Sequence, residues 1–145
     1  MKEALLHRGP DAQGEFIDGK LSFGHNRLAI LDLTSAGNQP MVLDKEGLAL
    51  VYNGEIYNYK ELKEDLDPER FFSQSDTEVL LHAYKKWGKG CLKYLNGMYS
   101  FAIWDRNKRE LFLARDRFGI KPLYYSEQPN GFYFASEPKG LFAVG

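Results

Sequence analysis

The sequence predicts an α+β layered sandwich, on three observations. Apolar runs of strand length at Leu48–Tyr52, Met98–Trp104 and Leu111–Ala114 are almost uninterrupted, which implies strands covered on both faces. Short polar or Gly-containing stretches separate neighbouring runs, so the connections read as hairpins and the pairing as antiparallel. Between the runs lie two capped helical patterns that supply further layers.

Each element has its own signal. Met1–Leu6 reads as the tail of a helix that stops at the turn signal Gly9-Pro10, with an upstream part missing, because six residues do not sustain a helix alone. Glu15–Ile17 and Leu21–His25 flank Asp18-Gly19, a dipeptide suited to the positive φ angles of a tight hairpin. Leu28–Leu33 reads as an apolar extended stretch and Thr34–Gln39 as loop. Leu48–Tyr52 is short enough to be a buried strand, and it ends at Asn53-Gly54. Asn58 and Glu61 have the spacing of a reciprocal capping box for a helix that dies at Asp67-Pro68. Ser75 and Glu78 repeat that spacing, and Val79, Leu80, Ala83, Tyr84 and Trp87 then form one apolar helical face ending at Gly88. Met98–Trp104 and Leu111–Ala114 are joined through Asp105–Glu110, and Leu123–Tyr125 and Phe132–Phe134 pair around Asn130-Gly131.

Bulk properties narrow the function. At 145 residues the chain is read as one domain, 1–145, because two cores of half that size would bury too little surface. A net charge of −1 without a Lys/Arg block argues against nucleic acid. The sequence contains no apolar run of membrane-spanning length, and the first residues lack a secretory apolar stretch, so no membrane is expected. The single cysteine, Cys91, cannot form an intrachain disulfide, in keeping with a cytoplasmic location. Phosphate-loop, dinucleotide and nucleophile-elbow signatures are absent. His7, His25 and His82 have no metal-ligand spacing, so no metal is expected.

The polar residues at strand ends carry the chemistry, and each admits two readings. Asn53-Gly54-Glu55 could offer a side-chain amide and a backbone N–H to one oxyanion, or could be a plain Asn-Gly turn. Arg27, in an apolar stretch, could bind a carboxylate ligand or close a structural salt bridge. Asp76 could cap the helix that Ser75 already caps, or stand free for an ammonium group. Arg115-Asp116-Arg117-Phe118-Gly119 reads as a salt-bridge network. Cys91 reads as a packing residue.

Five stretches together resemble one family. His7-Arg8-Gly9-Pro10-Asp11, Arg27 to Asp32, Asn53 to Asn58, Ser75 to Glu78 and Arg115 to Tyr124 look like the glutaminase (class II glutamine amidotransferase) domain of glutamine-hydrolysing asparagine synthetases. The likeness runs in order through Ala135-Ser136-Glu137 and covers essentially the whole chain. It implies a four-layer αββα sandwich of two antiparallel sheets, the N-terminal nucleophile hydrolase fold, here lacking its first strand.

The resemblance also implies roles. Arg27 would grip the α-carboxylate of L-glutamine in a two-pronged contact, and Glu55 with Asp76 would receive its α-ammonium group. Asn53 and the Gly54 N–H would form the oxyanion hole, and Leu28 and Ile30 would add backbone and wall contacts. The family's nucleophile is a leading cysteine whose own amino group is the base. That residue is absent, so the chain alone is expected to be inactive. No cofactor is expected in this domain; ATP and Mg belong to the absent C-terminal synthetase domain, which would receive the ammonia. The alternative is a non-catalytic glutamine-binding or regulatory module. A homodimer is compatible with either, and an exposed sheet edge would favour self-association.

Overall fold

In the computed structural model, which describes residues 1–67 and 70–144, the strands are β1 (Ala12–Asp18), β2 (Leu21–Arg27), β3 (Met41–Leu43), β4 (Leu48–Ile56), β5 (Gly97–Asp105), β6 (Glu110–Arg115), β7 (Tyr124–Gln128) and β8 (Gly131–Ala135). The α-helices are α1 (Tyr59–Asp65), α2 (Asp76–Trp87) and α3 (Pro138–Phe142), and 3-10 helices span Glu3–Arg8 and Gly88–Lys93. A four-stranded antiparallel sheet runs in the order β3-β4-β5-β6, and β1-β2 and β7-β8 form separate two-stranded ribbons.

The apolar runs look continuous because they feed two cores at once. Along β4, Leu48, Leu50 and Tyr52 join the cluster under α1 and α2, while the alternate residues Ala49 and Val51 join the cluster under the ribbons. β5 divides likewise, with Tyr99, Phe101 and Ile103 toward the helices and Ala102 toward the ribbons. From α2, Val79, Leu80, Ala83 and Tyr84 pack onto the sheet, the face that the sequence predicts. On the other side, Phe23 of β2 meets Phe134 of β8 edge to face, with ring centroids 5.8 Å apart. The layers are therefore helices, four-stranded sheet, paired ribbons, and an outer layer of α3 with the first 3-10 helix. This is the α+β sandwich that the sequence predicts, with its second β layer divided into two hairpins.

Several local expectations change for identifiable reasons. The opening segment closes as a 3-10 helix, Glu3–Arg8, rather than the tail of an α-helix. The first hairpin turns on Gly19-Lys20, not Asp18-Gly19, since Asp18 pairs with Leu21 and its carboxylate accepts from Trp104 Nε1 (2.8 Å) and Arg106 Nε (3.0 Å). Gly19 supplies the positive φ of 61°. Leu28–Leu33 is not extended. It is loop, and Leu28, Ile30 and Leu33 are all exposed, because the chain wraps around the Arg27 guanidinium.

Asn53-Gly54 is not a turn either, since β4 continues through it to Ile56, paired with β5. Asn58 begins α1 without capping it: its side chain donates to Tyr94 O and accepts from Asn96 N–H, both at 2.9 Å, tying the helix start to the chain before β5. Pro68, the expected helix stop, lies outside the described residues, and α1 ends at Asp65. Ser75 does cap α2, accepting from Thr77 N–H, but Glu78 reaches past the cap to the N–H groups of Phe72 and Ser73. β6 is half-buried because it is an edge of its sheet.

Candidate functional site

All seven residues to which the sequence assigned a site role line one cavity of about 400 Å³: Arg27, Leu28, Ile30, Asn53, Gly54, Glu55 and Asp76. Strand periodicity brings them together. Alternation along β4 puts Asn53 and Glu55 on the side of Ala49 and Val51, facing the ribbons. Arg27 closes β2, Leu28 and Ile30 follow in the loop, and Asp76 opens α2 where that helix meets the end of the sheet.

The acidic end of the cavity is built from Glu55 and Asp76. Asp76 is buried, and its Oδ2 accepts the Tyr52 hydroxyl at 2.7 Å and the Ile56 N–H at 2.9 Å. Burial pushes its carboxyl above the usual range, while the bonds from Ile56 and Tyr52 pull it back. Glu55 is raised by burial and then by the charge of Asp76, and Lys121 opposes this. The charge of Asp76 thus raises Glu55, and a cation set between the two carboxylates would relieve that. Asp76 also ties the start of α2 to β4 through Tyr52 and Ile56.

Asn53 faces the cavity with an unmet donor. Its Nδ2 is buried without a hydrogen-bond partner among the described residues, as a donor awaiting an oxygen would be. Gly54 is required by packing: a Cβ there would run into the Met98 carbonyl and lie 2.8 Å from the Tyr52 ring. Strand β4 runs through the pair, which excludes the turn reading.

Arg27 departs from the salt-bridge reading. The side chain is buried, and Nη1 donates to Thr34 O (2.8 Å) and Asn38 Oδ1 (2.9 Å). Nη2 donates to Leu31 O (3.2 Å) and to Asp32 O. All four terminal N–H groups are thus committed to the loop, no carboxylate salt bridge forms among the described residues, and only Nε–H is left for a ligand. The two-pronged grip implied by resemblance is not available in this arrangement. Gly37 completes it, since a Cβ there would collide with Nη2.

Other wall residues were given no role by the sequence, among them Gln39, Tyr52, Lys121 and His25. Gln39 and Tyr52 line the cavity, with Gln39 Oε1 accepting the Tyr52 N–H at 2.6 Å. Lys121 brings a cation from the loop before β7. His25 uses Nε2 with Tyr52 O at 3.1 Å, its Nδ1 has no partner among the described residues, and burial lowers its pKa from 6.5 to about 4. The Arg-Asp-Arg cluster is no salt-bridge network. Asp116 gathers the N–H groups of Phe118, Ile120, Lys121 and Tyr99 at 2.9–3.2 Å, and Arg115 donates to Lys121 O and Gly119 O. That arrangement fixes the loop that carries Lys121. Cys91 lies in the helix-side core, and burial pushes its thiol up to about 11, as suits a packing residue.

The chain is similar to known proteins in sequence and in fold. The glutamine amidotransferase domain pattern matches residues 1–145. Asparagine synthetase [glutamine-hydrolyzing] 2 of Bacillus subtilis is 48% identical over 143 residues, covering 99% of this chain and 19% of that protein. A putative asparagine synthetase [glutamine-hydrolyzing] 2 of Methanocaldococcus jannaschii is 46% identical, covering 99% and 31%. The glutamine phosphoribosylpyrophosphate amidotransferase of B. subtilis, solved with ADP and GMP, superposes with a TM-score of 0.71 at 31% identity, over 88% of this chain and 30% of that one. The chain thus spans 19% and 31% of the length of these two relatives. By sequence pattern, by relatives and by fold, the chain belongs to the glutamine amidotransferase domain family.

Proposed function

We propose that the cavity binds L-glutamine and that the domain serves glutamine hydrolysis within a longer, cytoplasmic asparagine synthetase. The observation that carries the reading is the facing pair Glu55 and Asp76 with the unpartnered Asn53 amide along the same wall. Glu55 and Asp76 receive the α-ammonium group. The α-carboxylate lies toward Arg27 Nε and the exposed loop residues Leu28 and Ile30. Asn53 Nδ2 and the Gly54 N–H then receive the side-chain carbonyl oxygen, whose charge grows as a nucleophile attacks; one such donor is worth ~2.7–4 kcal/mol of barrier. The attacking thiol is not that of Cys91, which packs in the helix-side core, and the domain itself uses no cofactor. The relatives are named asparagine synthetases that hydrolyse glutamine; in the proposed reading the ammonia passes to a synthetase domain that consumes ATP with Mg.

A second reading, glutamine binding without cleavage by this chain alone, is favoured by the seat of Cys91 in the core, away from the cavity. Both readings require the amino-acid clamp. Calorimetric titration with L-glutamine tests it. Binding is expected, and Asp76→Asn should weaken it tenfold or more, in line with the ~1.5–3 kcal/mol of a hydrogen bond to a charged group. No heat at millimolar glutamine would remove the proposal.

A further inference from the structure

Asp76 is held from the sheet by one oxygen only. The Tyr52 hydroxyl and the Ile56 N–H both end on Oδ2, at 2.7 and 2.9 Å, so that no bond from β4 takes Oδ1. Tyr52 is itself fixed on two sides. Its N–H donates to Gln39 Oε1 at 2.6 Å, and its carbonyl accepts from His25 Nε2 at 3.1 Å. Its ring packs in the helix-side core, where a phenylalanine would fill the same space. The hydroxyl therefore needs a reason of its own, since a buried hydroxyl is costly unless it is hydrogen-bonded.

We propose that Tyr52 is a positioning residue for ligand recognition: its hydroxyl pins one oxygen of Asp76 and so presents the other to the α-ammonium group of the amino acid. This rests on the glutamine reading above. Burial and the charge of Asp76 hold the Tyr52 phenol far above its ordinary range, so the hydroxyl is a donor throughout the accessible pH range. Asp76 is the acceptor in this bond, and the bond favours its ionised form against the burial that disfavours it. Removing the hydroxyl leaves burial less opposed. Asp76 then takes up a proton at higher pH, and a neutral Asp76 no longer attracts an ammonium group.

Other charged groups near Asp76 stay in place when only the hydroxyl is removed. Glu55 faces it from β4, Lys121 faces Glu55 from the loop before β7, and Arg27 and His25 of β2 line the same cavity. Glu78, the next acidic residue of α2, turns to Phe72 and Ser73 instead. The difference between wild type and Tyr52→Phe thus reports on Asp76.

The test titrates the full chain with L-glutamine, and with an analogue that lacks only the α-amino group, from mildly acidic to neutral pH. Tyr52→Phe should weaken glutamine about tenfold at neutral pH, move the acid limb of binding to higher pH, and leave the analogue's affinity unchanged. Equal glutamine affinity with an unmoved limb overturns the role of Tyr52 while the glutamine reading stands. Equal losses for glutamine and analogue also overturn it, since they mark a packing role. Absence of glutamine binding by wild type overturns both. A measurement on wild type alone guards against a variant that fails to fold: the Tyr52 hydroxyl proton should exchange slowly in NMR and shift with glutamine but not with the analogue. Exchange at solvent rate, or the same shift with both, overturns the proposal.

Discussion

His25 shows how a residue that looks unremarkable in sequence becomes a pH-sensitive part of the site wall. It lies in the His25-Asn26-Arg27 run, and the sequence offers no partner for it. In the fold it is largely removed from water, with Tyr52 O on Nε2 and nothing on Nδ1 among the described residues. Burial is the main cause that lowers its pKa from 6.5 to about 4; the Tyr52 bond opposes and the Arg27 charge adds a little. As pH falls below the ordinary histidine value, the unfolded chain binds a proton that the folded chain refuses. Stability should therefore decline between about pH 6.5 and pH 4, by at most about 3.4 kcal/mol at ~1.36 kcal/mol per unit, and His25→Gln should flatten that window. Denaturant melts at a series of pH values measure this, and a wild-type curve that is flat there would contradict it. Asn53 and Asp76 were legible as candidates because strand ends and helix starts put polar groups near buried backbone. Their convergence was not, since it depends on which face of β4 each residue takes and on where α2 meets the sheet.

At the scale of elements, the strands were readable and the loops were not. Apolar runs specify β4 and β5 because burial on both faces tolerates few polar side chains, and Leu48 to Tyr52 shows the pattern directly. Leu28–Leu33 carries the same composition yet is a loop, because Arg27 draws the carbonyls of Leu31, Asp32 and Thr34 around its guanidinium. Asp32, at φ 50°, then accepts from Thr34 and from Gln74 N–H (2.7 Å), which ties the loop to the approach to α2. No local periodicity encodes an organiser of that kind. Arg27→Ala leaves those acceptors without a donor and should cost on the order of 3 kcal/mol. It should also open the segment from Leu28 to Asn38 to limited proteolysis before the rest of the chain is cut. Protease resistance of this loop equal to that of wild type would show that it is held by something else.

In the whole molecule, the cavity lies where the four-stranded sheet, the ribbons and the start of α2 meet, with walls drawn from elements distant in sequence. The sheet supplies Asn53, Gly54 and Glu55, the helix layer supplies Asp76, and the loops after β2 and before β7 supply Ile30 and Lys121. The layered architecture was readable from the apolar runs. The division of the second β layer into two hairpins was not, because strand signals reveal partners within a hairpin and say nothing of pairing between hairpins. The claim on which the functional account depends is that this junction holds a free amino acid by its ammonium group. A crystal structure of the chain grown with saturating L-glutamine tests it most directly. The account predicts the α-nitrogen within hydrogen-bonding distance of both Asp76 and Glu55, and the carboxamide oxygen against Asn53 Nδ2. A glutamine bound with its amino group turned away from those carboxylates, or a cavity left empty at saturation, would contradict it.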